Sequence, residues 1–174
     1  MGQDDTKHNL LFISKYPEII HEFTDAMKDR DIEIDTAING IEAAAKIKKK
    51  NYDIVITGLS LEGFNGEQII TYLNKTAPST VCIIYTTTIS SAQLHFFINE
   101  RNVFRVFLRP VDFRGAFWEA LEEAYEYHAV QVKNEEDTGA RRQEQEKQER
   151  EIEIMDQRMR SQRQARETTN RYMK

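Results

Sequence analysis

The stretch Tyr52-Asp53-Ile54-Val55-Ile56-Thr57-Gly58-Leu59-Ser60-Leu61-Glu62-Gly63-Phe64-Asn65-Gly66 decides the fold. Its first half is a short apolar run without polar alternation, the pattern of a strand buried on both faces. A loop of Gly, Ser and Asn follows, and from Gly66 the composition turns helical. Strand, loop and helix in that order make one β/α unit. Four further runs resemble the core run Asp53 to Thr57: Leu10-Leu11-Phe12-Ile13, Glu33-Ile34-Asp35-Thr36-Ala37, Val81-Cys82-Ile83-Ile84-Tyr85 and Phe104-Arg105-Val106-Phe107-Leu108.

Between these runs, the segments near 17–30, 41–50, 66–75 and 90–100 have helical composition. A fifth helix is expected from Phe113 to about Val132, with Asp112 as its cap. Five alternating units predict an α/β fold, a doubly wound five-stranded parallel sheet. In such sheets ligands gather beyond the carboxyl ends of the strands. The residues to watch are therefore Ser14, Lys15, Gly58, Thr86, Thr87 and Arg109.

Three parts are expected: an N-terminal extension 1–8, the α/β domain 9–132, and a tail 133–174. The tail contains no Pro, one Gly, and a dense mixture of Glu, Gln and Arg, so it reads as a long solvated helix or as disorder. Ile152, Met155 and Met159 have the 3-4 spacing of one short coiled-coil seam. Gly139 is the expected break between the tail and the preceding helix.

The chain has 24 basic and 29 acidic side chains, a net charge of -5. Neither part carries the strongly basic surface that binding to phosphate backbones requires, so nucleic acid is not an expected partner. No apolar run approaches the roughly 18 residues of a membrane helix, and the polar start is unlike a signal peptide. The expected location is the cytoplasm. The single cysteine, Cys82, excludes an intramolecular disulfide and a zinc site built on paired cysteines; it reads as core.

Chemistry is sparse. The first strand leads into Ser14-Lys15-Tyr16-Pro17, not into a glycine-rich phosphate loop, and the sequence holds no nucleophile elbow or ligand-spaced His/Cys/carboxylate cluster. No enzymatic activity and no cofactor are expected.

The order of pieces resembles the response regulator receiver domain, over about residues 8–130. The matching pieces are Phe12-Ile13-Ser14-Lys15-Tyr16-Pro17, Ala37-Ile38-Asn39-Gly40-Ile41-Glu42-Ala43, the stretch from Tyr52 to Gly66, and Asn102-Val103-Phe104-Arg105-Val106-Phe107-Leu108-Arg109-Pro110-Val111-Asp112. The resemblance implies a flavodoxin-like, receiver-like fold and a signalling role. Members of that family hold Mg²⁺ and accept a phosphoryl group with two acidic residues after the first strand and an Asp after the third. A Ser or Thr after the fourth strand and a Lys after the fifth assist them. Here Ser14 and Lys15 take the acidic positions, Gly58 takes the place of the acceptor Asp, and Arg109 replaces the Lys, while Thr86 follows the pattern. Val106 stands where the family has a switching aromatic.

The resemblance therefore implies a pseudo-receiver with no Mg²⁺ in its pocket, acting by contact with a protein partner or as a homodimer. Two readings of the altered pocket stand open: a relic filled by Lys15 and Arg109, or a small anion site with Ser14 and Thr86 as donors. A Lys15 ammonium turned to solvent or onto Glu62 would remove the second. On the last helix of the domain, Trp118, Leu121, Tyr125, His128 and Val132 repeat at 3-4 spacing and are expected to lie partly outside the core as a partner or dimer face. His128 there could sense pH or simply be a half-buried neighbour; His8, His21 and His95 suggest no ligand set.

Overall fold

The computed structural model describes residues 7–173. The elements are β1 (His8–Ile13), α1 (Pro17–Met27), β2 (Ile32–Ala37), α2 (Gly40–Lys49), β3 (Ile54–Thr57), α3 (Gly66–Thr76), β4 (Val81–Thr86), α4 (Ser91–Glu100), β5 (Val103–Leu108) and α5 (Ala116–Tyr172). The five strands form one parallel sheet in the order β2-β1-β3-β4-β5. The three runs that lack polar alternation, β1, β3 and β4, are the interior strands, covered by helices on both faces.

Alternation along each strand sorts the core into two layers. Leu10, Phe12, Ile54, Ile56, Ile83 and Tyr85 face α1 and α5, where they meet Phe23, Phe113 and Phe117. Leu11, Ile13, Val55, Cys82 and Ile84 face the other way, against Ile69, Ile70, Leu73 and Phe97. The first layer is an aromatic stack: the Phe12 and Phe23 rings lie 4.2 Å apart and nearly parallel, with Phe113 edge-on to both. Cys82 is core, and burial pushes its thiol up to about 12.

Helix starts follow local chemistry. Asn39 caps α2 through the Glu42 N–H, while Asn65 with Gln68 and Ser90 with Gln93 form reciprocal capping boxes on α3 and α4. Gly66 permits the start of α3 to lie against the end of β3, since a Cβ there would come within 2.2 Å of the Gly58 carbonyl oxygen.

Some boundaries differ from expectation. β1 begins at His8, so the extension 1–8 overlaps the sheet; residues 1–6 of it lie outside the described residues. Asp112 does not cap a helix starting at Phe113. Its carboxylate accepts from the Arg114 N–H in a turn, and α5 begins at Ala116. Gly139 does not interrupt α5. A glycine costs a helix about 1 kcal/mol relative to alanine, too little to stop one set among strong helix formers.

The chain divides into two units, one ending at Val132 and the other beginning at Lys133. In the second, every described residue is exposed and helical up to Tyr172. Side chains four residues apart pair along it, as in Arg160 with Asp156 at 2.9 Å and Gln145 with Glu149 at 3.3 Å. Among the described residues, no helix is long and apolar enough to cross a membrane.

Candidate functional site at the strand ends

Because all five strands run parallel, the residues that follow β1, β3, β4 and β5 meet at one edge of the sheet. The structure brings together all six residues expected there. Ser14, Lys15, Gly58, Thr86, Thr87 and Arg109 line one cavity of about 60 Å³, joined by Tyr16, Ser60 and Tyr85 among others. No carboxylate lines it among the described residues.

Each side chain has a definite setting. Ser14 is buried; its Oγ accepts from the Tyr16 N–H at 3.2 Å, which leaves the hydroxyl proton to be donated elsewhere. Lys15 is exposed as a residue, yet its ammonium turns to Ser60 Oγ at 3.5 Å and does not pair with Glu62. Thr86 donates to the Thr88 carbonyl at 3.3 Å, so its hydroxyl braces the loop after β4. Arg109 is half-buried, with its guanidinium 4.7 Å from the Tyr16 ring centre and 6.0 Å from that of Tyr85. Burial raises the Tyr85 hydroxyl above the ordinary tyrosine range; the Glu22 charge adds to this and Arg109 offsets part of it.

Lys15 also lies over the Tyr16 ring, at 5.2 Å, so one aromatic ring contacts both cations. Tyr16 and Tyr85 stand in the sequence only as parts of the strand-end motifs, with no role of their own. The signal for Tyr16 is its position directly after Lys15. Gly58 has no strain to relieve: a Cβ there would find nothing nearer than the Tyr85 carbonyl oxygen at 3.7 Å. The room beside it comes from the missing side chain.

The seam on α5 is not an exposed stripe. Leu121 and Tyr125 are buried in the α1/α5 core layer, and Trp118 packs at its margin with Arg30 4.2 Å above the indole. Val132 and His128 are half-buried. The 3-4 spacing is shared by two adjacent apolar rows: α5 buries Leu121 and Tyr125 and leaves Trp118, His128 and Val132 partly outside the core. In the tail, by contrast, Ile152, Met155 and Met159 are 62%, 60% and 52% exposed.

His128 is a structural tie. Its Nε2 lies 3.2 Å from Asp53 Oδ1 and its Nδ1 2.8 Å from the Ser79 carbonyl oxygen. Both are acceptors: a neutral imidazole donates to one of them, and a ring protonated on both nitrogens would donate to both. His8 reaches the other Asp53 oxygen at 3.4 Å and stacks on Tyr125 at 4.1 Å. Burial would raise the Asp53 carboxyl, but the His128 hydrogen bond, the Asn9 N–H, the His128 charge and His8 together hold it below the ordinary aspartate value. The Tyr125 hydroxyl is buried and has no hydrogen-bond partner among the described residues.

Sheet order and strand-end pocket place the molecule among doubly wound α/β proteins with a site at the carboxyl edge. The chain belongs to the response regulator receiver domain family, whose family model matches residues 11–115. With that membership comes signal transduction in two-component systems as the class of function. Similar solved structures include the signal receiver domain of an HD domain-containing protein from Pseudomonas fluorescens Pf-5, at TM-score 0.67 and 19% identity over 71% of this chain and 98% of that one. An adenylate cyclase structure from Rhodopirellula baltica aligns at TM-score 0.68 and 19% identity, covering 75% and 96%. A CheY-like receiver domain protein from Methanospirillum hungatei JF-1 aligns at 0.65 and 18%, covering 72% and 99%. No curated protein matches the chain significantly.

Proposed function

We propose that this receiver domain is a pseudo-receiver: it acts in the cytoplasm without phosphorylation, by protein contact or self-association. The carrying observation is a strand-end pocket lined by Lys15 and Arg109 and, among the described residues, by no carboxylate. Mg²⁺ is ordinarily held by one or two carboxylates in an octahedral oxygen shell, and this donor set offers hydroxyls, carbonyls and two positive charges. The residues present do not fit the ion. Gly58 supplies no nucleophile where the family has its acceptor, and Val106, β-branched and stiff at χ1, replaces the aromatic of the family's switch.

Assembly is assigned to the tail. Ile152, Met155 and Met159 form an apolar stripe on an otherwise charged helix, and such a stripe is covered when two helices pair. The test has two parts. Intact mass after incubation with Mg²⁺ and a small phosphodonor should show no covalent phosphate; a stable adduct would overturn phosphorylation independence. Light scattering over a concentration series should give a dimer for the full chain and a monomer after Met155→Glu with Met159→Glu. A monomeric unsubstituted chain would leave contact with a different protein as the surviving form.

A further inference from the structure

We propose that the strand-end cavity is a metal-free binding site for a phosphate-type oxyanion, either inorganic phosphate or the phosphoryl head of a small phosphomonoester. This deepens the pseudo-receiver reading and rests on it, since an oxyanion can occupy the cavity only if no residue there is itself phosphorylated.

Charge comes first. Lys15 and Arg109 stand over the same Tyr16 ring, at 5.2 Å and 4.7 Å from its centre, and neither makes an ion pair among the described residues. Several other cations of this domain find carboxylates, Lys50 with Glu33 and Asp35, Lys46 with Glu42 and Arg114 with Asp25, while Arg30 and Arg101 each rest singly on an aromatic ring away from this cavity. Two like charges lining one cavity repel one another, and an anion between them would relieve that repulsion. The Tyr16 ring that both contact carries no net negative charge, so the deficit remains.

Hydrogen bonding points the same way. Ser14 is 7% exposed, lines the cavity, and accepts from Tyr16 while keeping its own proton to donate. Ser60 carries the Lys15 ammonium at 3.5 Å, a long contact that a stronger acceptor would displace. Cationic and hydroxyl donors on several walls suit a tetrahedral anion with acceptor oxygens in every direction, whereas a planar carboxylate would engage one wall.

Size then selects within oxyanions. One water needs on the order of 10–15 Å³ of such space, so a cavity of about 60 Å³ has room for one phosphoryl group. The room exists because Gly58 has no side chain, and an added Cβ would meet only ordinary contacts. Filling that position should therefore close the site without disturbing the backbone.

The experiment is an amide NMR titration of the full chain with inorganic phosphate at constant ionic strength, with chloride as the matched control and free phosphoserine as the phosphomonoester. Saturable shifts at Ser14 to Tyr16, Gly58 to Ser60 and Thr86 to Arg109 are expected. Lys15→Ala and Arg109→Ala should each weaken binding by roughly tenfold or more, the loss of one charge-assisted partner. Gly58→Asp should abolish it while the far-ultraviolet circular dichroism and melting point stay near those of the unsubstituted chain. Tighter binding of phosphoserine would assign the ligand to esters; equal binding would assign it to free phosphate. Linear shifts that chloride reproduces, or saturation that survives Lys15→Ala and Gly58→Asp together, would sink the site. Absence of binding without covalent phosphate overturns this site alone. Covalent phosphate found by mass overturns the pseudo-receiver reading, and this site with it.

Discussion

The two ends of the sheet are built on opposite electrostatic plans. At the carboxyl end, Lys15 and Arg109 face a cavity that no described carboxylate lines, and their nearest partners are aromatic faces and a hydroxyl. At the amino end, one carboxylate, Asp53, is held by the His8 imidazole and the Asn9 N–H of β1 and by the His128 imidazole of α5. The first arrangement leaves charge uncompensated and space open, which suits an incoming group. The second compensates its charge internally and leaves nothing for a ligand to do, which suits a tie between β1, β3 and α5. Substitutions at the amino end should therefore read out in stability, and those at the carboxyl end in binding.

Asp53→Ala breaks the comparison at its strongest point. It leaves the Asn9 N–H without its side-chain acceptor and takes the carboxylate away from the half-buried His128, and hydrogen bonds to charged groups are worth about 1.5–3 kcal/mol. A loss of about 2–3 kcal/mol in urea unfolding is expected. A change under about 0.5 kcal/mol would mean that the amino end is no tie. His128→Gln should cost less, on the order of 1 kcal/mol, because an amide keeps part of the bonding to Ser79 or Asp53 and forfeits only the charge.

The pH dependence follows from the direction of the Asp53 shift. Its carboxyl titrates in the folded chain below the ordinary value of 3.8, so folding favours the ionised form. Its contribution is complete above that value and is lost as the pH falls through the lowered folded one. The stability gap between the unsubstituted chain and Asp53→Asn should therefore be widest near neutrality and narrow as the pH drops from about 5 toward 3. Asp35, lowered against its burial by Tyr52 and Lys50, contributes to both proteins alike and cancels from the gap. A gap independent of pH would show that the aspartate charge has no part in the tie.

How much of this was legible in the chain differs between the same two ends. The interior strands could be read because burial on both faces leaves no polar alternation, and parallel strands then bring Ser14, Lys15, Gly58, Thr86 and Arg109 to one edge whatever their side chains do. The amino-end tie could not be read, because it depends on which way the side chains of His8, Asp53 and His128 turn from three elements far apart in sequence. The start of β1 was missed for a related reason. His8 and Asn9 are polar and join the strand through backbone pairing with Ile32 and Glu33, which no hydrophobic pattern announces. On α5 the 3-4 spacing identified a helix, but of the seam only Trp118, His128 and Val132 lie partly outside the core, since Leu121 and Tyr125 turn inward with the neighbouring apolar row.

The smallest expected effect is also the sharpest test of the contrast. Lys15→Ala removes an exposed side chain whose polar contacts are one long hydrogen bond to Ser60 and a ring face, while relieving repulsion from Arg109. Its effect on unfolding free energy should lie within about 0.5 kcal/mol and need not be a loss. If Lys15→Ala destabilises the chain as much as Asp53→Ala, then Lys15 braces the loops at the strand ends, and both ends of the sheet are structural. If it leaves stability untouched and removes phosphate binding, the positive charge is held at the carboxyl edge for something that arrives from outside, and the sheet divides its labour between an end that holds and an end that receives.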